Sequence, residues 1–118
     1  MNMPVIINSK DYEDKYGLLG KQILIASNKT TIFKASEKAK YVMANINICN
    51  PNTVDAIIKL WISYKYEPEL IDIYEHNIVL KPDANYIRTN VIIGPKEILI
   101  AESSVDNVVI RLDGHDDK

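Results

Sequence analysis

The chain has a single cysteine, Cys49. It can form no intrachain disulfide, so nothing here depends on an oxidising compartment. Glycine is scarce as well, with Gly17, Gly20, Gly94 and Gly114 the whole set. Neither GxxxxGK nor GxGxxG occurs, which removes the loops that cradle nucleotide phosphates. The only histidines, His76 and His115, have no second ligand at metal-site spacing, and zinc requires three or four converging donors. An excess of one charge is also missing. Fourteen Lys and Arg stand against 16 Asp and Glu, for a net charge of -2. The lysines are scattered among the acids, so no nucleic-acid footprint is expected. No apolar run approaches the roughly 20 residues that span a bilayer. The opening MNMPVIINSKDYEDKYG also lacks a basic stretch followed by a long apolar one, so neither signal peptide nor membrane anchor is expected.

What is present is alternation. A chain of 118 residues with 47% hydrophobic content is long enough to bury one core, and its many isoleucines and valines favour strands. Residues 22–26 and 30–34 are strand-like, with a turn at Ser27-Asn28-Lys29. Asn28-Lys29-Thr30 has the form of a glycosylation acceptor but reads as part of that turn. Residues 36–40 form a charged connection or a single helical turn. In 41–50 Val42, Ala44, Ile46 and Ile48 share one face, and Asn45, Asn47 and Cys49 share the other. Asn50-Pro51-Asn52-Thr53 supplies turn chemistry, and residues 54–66 are expected to return as the hairpin partner. There Ala56, Ile58, Leu60 and Ile62 face the core, while Lys59, Trp61, Ser63 and Lys65 face solvent or a partner. Further strands are expected at 71–80, 86–93, 97–101 and 108–112. About eight short antiparallel strands at this spacing predict an all-β fold, a single β-sandwich of jelly-roll or immunoglobulin-like arrangement. Residues 21–118 form that domain. Residues 1–20 read as an N-terminal arm or as an extra edge strand with a helical turn.

No reactive constellation emerges. Cys49 has no local histidine to activate it, Ser103-Ser104 belongs to a turn, and Glu67 and Glu69 flank Pro68 in a loop. His76 shares a polar register with Asp72 and Tyr74, and the ligand-like tail Asp113-Gly114-His115-Asp116-Asp117 sits at a terminus without a scaffold. No metal or cofactor is expected. The aromatic set Trp61, Tyr64, Tyr66 and Tyr74 is read in two ways, as ordinary sheet packing or as a surface for a protein partner or a sugar.

Three stretches carry a resemblance. ANINICNPNT (44–53), IDIYEHNIVL (71–80) and IRTNVII (87–93) follow one another as do the motifs of small structural proteins of tailed bacteriophages, especially marine ones. VVIRLDG (108–114) is similar to the strand that closes their domain, and the likeness runs from about residue 22 to 114. Asn90 stands where that family often has glycine, and residues 1–20 match nothing in it. The resemblance implies a β-sandwich accessory protein of the virion, made in the host cytoplasm and present in many copies on head, neck or tail. It implies other virion proteins and further copies of the chain as partners, and no enzymatic activity. Val5, Ile6, Ile7, Leu18, Leu19, Trp61, Tyr64, Tyr66 and Tyr74 are the candidate partner contacts. The alternative is a carbohydrate-binding module for host-surface glycans, with Trp61 and the tyrosines stacking on sugar rings.

Overall fold

The computed structural model describes residues 14–117. It contains eight strands: β1 (Asp14–Leu24), β2 (Thr30–Lys34), β3 (Tyr41–Cys49), β4 (Ala56–Ser63), β5 (Ile73–Leu80), β6 (Asn85–Ile93), β7 (Ile98–Ser103) and β8 (Val108–Asp117). They make two antiparallel sheets, ordered β1-β8-β3-β6 and β2-β7-β4-β5, and the expected all-β sandwich is the fold adopted. The ladders β1:β8, β2:β7, β3:β6 and β4:β5 are those of one long hairpin bent at the β4–β5 connection. Rolling that hairpin up creates the remaining ladders, β3:β8 and β4:β7. This double Greek-key path is the jelly roll, which decides between the two arrangements that alternation leaves open.

The core lies between the sheets, and β3 shows why. Val42, Ala44, Ile46 and Ile48 are buried, whereas Tyr41, Met43, Asn45 and Asn47 are exposed. From the other sheet Ala56, Ile58 and Leu60 face them, with Ile62 packed at the margin. Each fully buried isoleucine or leucine contributes about 1.5–3 kcal/mol. Gly114 on β8 sits directly under β3. A Cβ there would lie 2.6 Å from the Cα of Ala44 and would strike the carbonyl of Met43.

Five expectations are changed or narrowed. First, β3 and β4 are not a hairpin, because they lie in different sheets. Consecutive strands stay within one sheet only at β4–β5, so Asn50 to Thr53 carry the chain across the sandwich. Asn50 is wholly buried. Its side-chain nitrogen donates to the carbonyls of Val54 (2.8 Å) and Leu80 (2.9 Å), and its Oδ1 accepts from the backbone N–H (3.1 Å) and the side chain (2.9 Å) of Asn52. Second, β1 begins at Asp14 and pairs with β8 as an edge strand. The boundary expected at 20/21 therefore falls inside a strand. Third, the tail 113–117 has a scaffold, since it belongs to β8 and pairs with both β1 and β3. Fourth, residues 36–40 form a turn without a helix.

Fifth, β5 does not keep strict alternation. Its register against β4 shifts twice, between Ile58 and Leu60 and between Leu60 and Trp61, with Asn77 at φ 57°. These bulges turn Tyr74 onto the core instead of leaving it in a polar row. A similar shift in β6 puts Asn90 at φ 58°, in the left-handed region that glycine adopts freely and asparagine tolerates. The side chain of Asn45 accepts from the Asn90 N–H at 3.3 Å.

Two substitutions probe this framework. Asn50→Ala strands buried carbonyls and should cost about 2–4 kcal/mol, since each unpaired buried group costs about 1–3 kcal/mol. Gly114→Ala overpacks the β3–β8 ladder and should cost about 1–3 kcal/mol. Urea unfolding of both variants checks these values, and losses under about 0.5 kcal/mol, the range of ordinary surface substitutions, would contradict the assignments.

Candidate functional site

The jelly roll places the β1–β2, β3–β4, β5–β6 and β7–β8 loops at one end, and the β2–β3, β4–β5 and β6–β7 loops at the other. The second end carries the candidate site. Its centre is the β4–β5 connection, residues 64–72, the tip of the rolled hairpin. β4 ends at Ser63, and a single 3-10 turn at Leu70–Asp72 follows Pro68 and Glu69. Acids three residues apart brace this turn. The Asp72 carboxylate accepts from the Glu69 N–H (2.8 Å) and from the Ser63 hydroxyl (2.9 Å), and Ser63 Oγ accepts in turn from the Lys65 N–H (3.0 Å). Lys65 pairs with Glu69, and that hydrogen bond is the main reason its pKa lies above the ordinary lysine value.

A loop that satisfies its own polar groups in this way holds its outer side chains in place. Among them are Leu70, 84% exposed, and Ile71, 89% exposed, with Tyr64 at 69% and Tyr66 at 58%, beside exposed Lys65, Glu67 and Glu69. Single exposed leucines are ordinary. Two adjacent aliphatics beside two tyrosines on one braced turn form a patch of the kind that marks an interaction site. Burying each aliphatic against a partner would contribute about 1.5–3 kcal/mol. Next to the turn lies a cleft of about 330 Å³ lined by Lys34, Ala35, Ser36, Glu37, Tyr64 and Lys96. The Lys34 ammonium sits 5.3 Å over the Tyr66 ring. This lining offers an aromatic ring, a hydroxyl, two ammonium donors and a carboxylate acceptor.

The nine candidate contacts scatter. Tyr64 and Tyr66 meet on this loop. Trp61 faces outward from its sheet, as its register predicts, but it is only 7% exposed. It packs with Ile98, Ile100 and Ile73, and the Lys29 ammonium lies 5.4 Å over its ring. This corrects the expectation of an open aromatic row, because the ring is already spent on intrachain packing. Tyr74 is half-buried, with the Arg88 guanidinium 5.3 Å over its ring. Arg88 also contacts Glu75 at 2.8 Å. The Tyr86 hydroxyl donates to the same carboxylate at 3.3 Å, and burial, then the Glu75 charge, raises the Tyr86 pKa above its ordinary value. Leu18 is exposed on β1, and Leu19 packs against the core. Val5, Ile6 and Ile7 lie outside the described residues.

Leu70 and Ile71 are the exposed aliphatics that sequence reasoning missed. Alternation assigned Ile71 to a strand. The available signal was the pair of acids, Glu69 and Asp72, bracketing two consecutive aliphatics, which marks a capped turn rather than a pleat. His76 is exposed on β5, His115 is half-buried on β8 opposite Met43, and Cys49 is half-buried at the end of β3. Among the described residues no group of three His, Cys, Asp or Glu side chains could hold a metal ion, and no helix is long and apolar enough to cross a membrane. No known family model matches the chain, and neither a curated protein nor a solved structure matches it.

The bracing itself is testable. Asp72→Ala removes the acceptor shared by Glu69 and Ser63 and should cost about 1–2 kcal/mol. Amide exchange should speed up across residues 64–72 and stay unchanged in β3 and β8. Unchanged exchange at Lys65 and Glu69 would show that the carboxylate does not hold the turn.

Proposed function

We propose that the chain is a non-enzymatic structural protein of a tailed-bacteriophage virion, carried in multiple copies on head, neck or tail. Its role is to decorate or join, and its partners are other virion proteins and further copies of itself. The observation that carries this reading is the braced β4–β5 turn, which displays Leu70 and Ile71 at the tip of a jelly roll. An aliphatic pair held rigidly in solvent costs little further entropy when a partner covers it. Symmetry multiplies modest contacts of this kind. Jelly rolls recur in capsid and lectin domains, and fold alone does not fix function. Two local features add support. The ordered motifs from ANINICNPNT to VVIRLDG resemble phage structural proteins, and Asn90 takes a left-handed conformation where that family often has glycine.

A second reading has its own observation. The cleft beside Tyr64 presents ring, hydroxyl and charged groups suited to a host-surface glycan, so adsorption is the alternative role. Trp61 has no part in it, being buried under Lys29.

In a phage carrying this gene, tagged protein should co-purify with intact particles. The double variant Leu70→Asp, Ile71→Asp should melt like the parent yet fall about tenfold or more in particle occupancy, the factor that loss of roughly 1.4 kcal/mol produces. Particles without the tagged parent protein would rule out the virion reading. Binding to envelope glycans that is abolished by Tyr64→Ala and kept by the double variant would favour adsorption instead.

A further inference from the structure

We infer that the cleft between the β2–β3 connection and the β6–β7 turn binds an acidic sugar, a pyranose bearing a carboxylate or a phosphate, whose oxyanion is held by Lys34 and Lys96. The inference rests on the reading of this cleft as a glycan site and names the class of glycan. The observation that carries it is the turn Gly94-Pro95-Lys96-Glu97. Its closing hydrogen bond runs from the Glu97 N–H to the Gly94 carbonyl at 3.1 Å, with Pro95 second and Lys96 third at φ 68°. Proline second and a positive φ third define a type II turn, and its third position favours glycine or asparagine. The other described non-glycine residues at positive φ are Ser27, Asn77, Asp83, Asn90 and Asn107, whose short polar side chains suit that region. Lys96 is the long side chain among them, and its backbone is strained where glycine would not be. Strain of this kind gathers at ligand sites.

No carboxylate of the chain takes up that ammonium. Among the described residues the ion pairs engage Lys65, Lys81, Arg88 and Arg111, and neither Lys34 nor Lys96 joins one. The neighbouring Glu97 carboxylate accepts instead from the Gly94 N–H at 2.7 Å. The backbone brings the two lysines together. Ala35, which follows Lys34, donates its N–H to the carbonyl of Glu97, which follows Lys96, at 2.9 Å. Both lysines therefore line the one cleft of about 330 Å³. The Lys34 ammonium, 5.3 Å over the Tyr66 ring, is positioned there without being neutralised. Two ammoniums and the single carboxylate of Glu37 leave the lining with a charge of +1, in a chain whose net charge is -2. Lysine meets phosphate and carboxylate oxygens as a point charge, so the cleft is suited to an anion.

The rest of the lining is suited to a sugar. Tyr64 exposes a ring for the apolar face of a pyranose. Ser36 Oγ accepts from the Lys38 N–H at 3.0 Å and keeps its own proton to donate. Glu37 is an acceptor for sugar hydroxyls. The volume lies at the low end of the roughly 300–1,000 Å³ of small-molecule sites, which fits a single sugar unit.

Titration of the full, isotope-labelled chain with single sugars, followed by amide NMR shifts, tests this. Galacturonate and a glucose phosphate should shift Lys34, Ser36, Tyr64 and Lys96, and neutral glucose should bind at least about tenfold more weakly, the factor one charge-assisted hydrogen bond supplies. Binding of either acidic sugar supports the inference, and the tighter of the two identifies the oxyanion. Lys34→Met and Lys96→Gly should each weaken acidic-sugar binding by a similar factor. Lys96→Gly also frees the turn, so this variant should melt at or above the parental temperature while it loses the ligand. Acidic sugars bound no better than glucose, or a lower melting temperature for Lys96→Gly, overturn the inference. Inorganic phosphate bound as tightly as the glucose phosphate overturns the assignment to a sugar. Failure of the inference is distinct from failure of the glycan reading. Neutral envelope glycans bound through Tyr64, with both lysine variants unaffected, leave that reading standing and remove the acidic class. Acidic sugars bound by a protein that ignores host envelope glycans overturn adsorption alone.

Discussion

The amide of Asn50 is the contact on which the rest of the sandwich depends. A jelly roll passes its chain between sheets at nearly every connection, and each crossing interrupts a ladder and leaves peptide groups in need of partners. At the end where four loops gather, one buried side chain meets that need. Its nitrogen holds the carbonyls of Val54 and Leu80, so the entry into β4 and the exit from β5 are fixed together. Its own backbone pairs with Asp83 and Ala84 of the β5–β6 loop. Asn52, which donates to Asn50 Oδ1, also donates to the Asp106 carbonyl, and the Asp106 carboxylate accepts from the Ala26 N–H. All four loops at that end are thereby linked. Aspartate has no donors for the two carbonyls, so only the amide serves both roles.

The opposite end is organised without a hub. Ala35 donates to the Glu97 carbonyl at 2.9 Å, and the Glu97 side chain accepts from Gly94 at 2.7 Å. The β4–β5 turn is tied through Ser63 and Asp72 to itself. Its bracing groups point inward, and its outer surface carries Leu70 and Ile71 together with Glu67 and the Lys65–Glu69 pair.

How much of this was legible in the sequence follows from what alternation records. Strand β3 was readable because its two faces meet different surroundings, and the burial of its residues repeats the written pattern. Its neighbour was not readable, because Asn-Pro-Asn-Thr serves a hairpin and a sheet-to-sheet crossing equally well. The start of β1 was hidden by charged residues and by Gly17 at φ 96° beside a register shift at 18–20. The end of β8 read as a loose tail because it is polar, although it lies between two strands and Gly114 gives its backbone room under Met43. Trp61 had the correct register and the wrong exposure. The clue was in β7, where Ile98, Leu99, Ile100 and Ala101 are consecutive, as in strands buried on both faces. Leu99 and Ala101 fill the main core, and Ile98 and Ile100 support Trp61 on the other side.

The outer face of β3 shows what alternation leaves on the side away from the core. Met43 and Ile92 are paired neighbours near one end of that face, and Ile23 and Val109 near the other. Between them lie Asn45, Asn47 and the Arg111–Asp113 ion pair, with exposed Ile87 directly across from Asn47 and exposed Leu18 across from Asp113. The asparagines of the ANINICNPNT stretch thus stand among exposed aliphatics, and Asn45 is further committed to the bulge at Asn90. The alternation that builds the core from one face of β3 therefore also decides what the other shows: asparagine side chains, one of which holds the sheet's own bulge, and an ion pair set among scattered aliphatics.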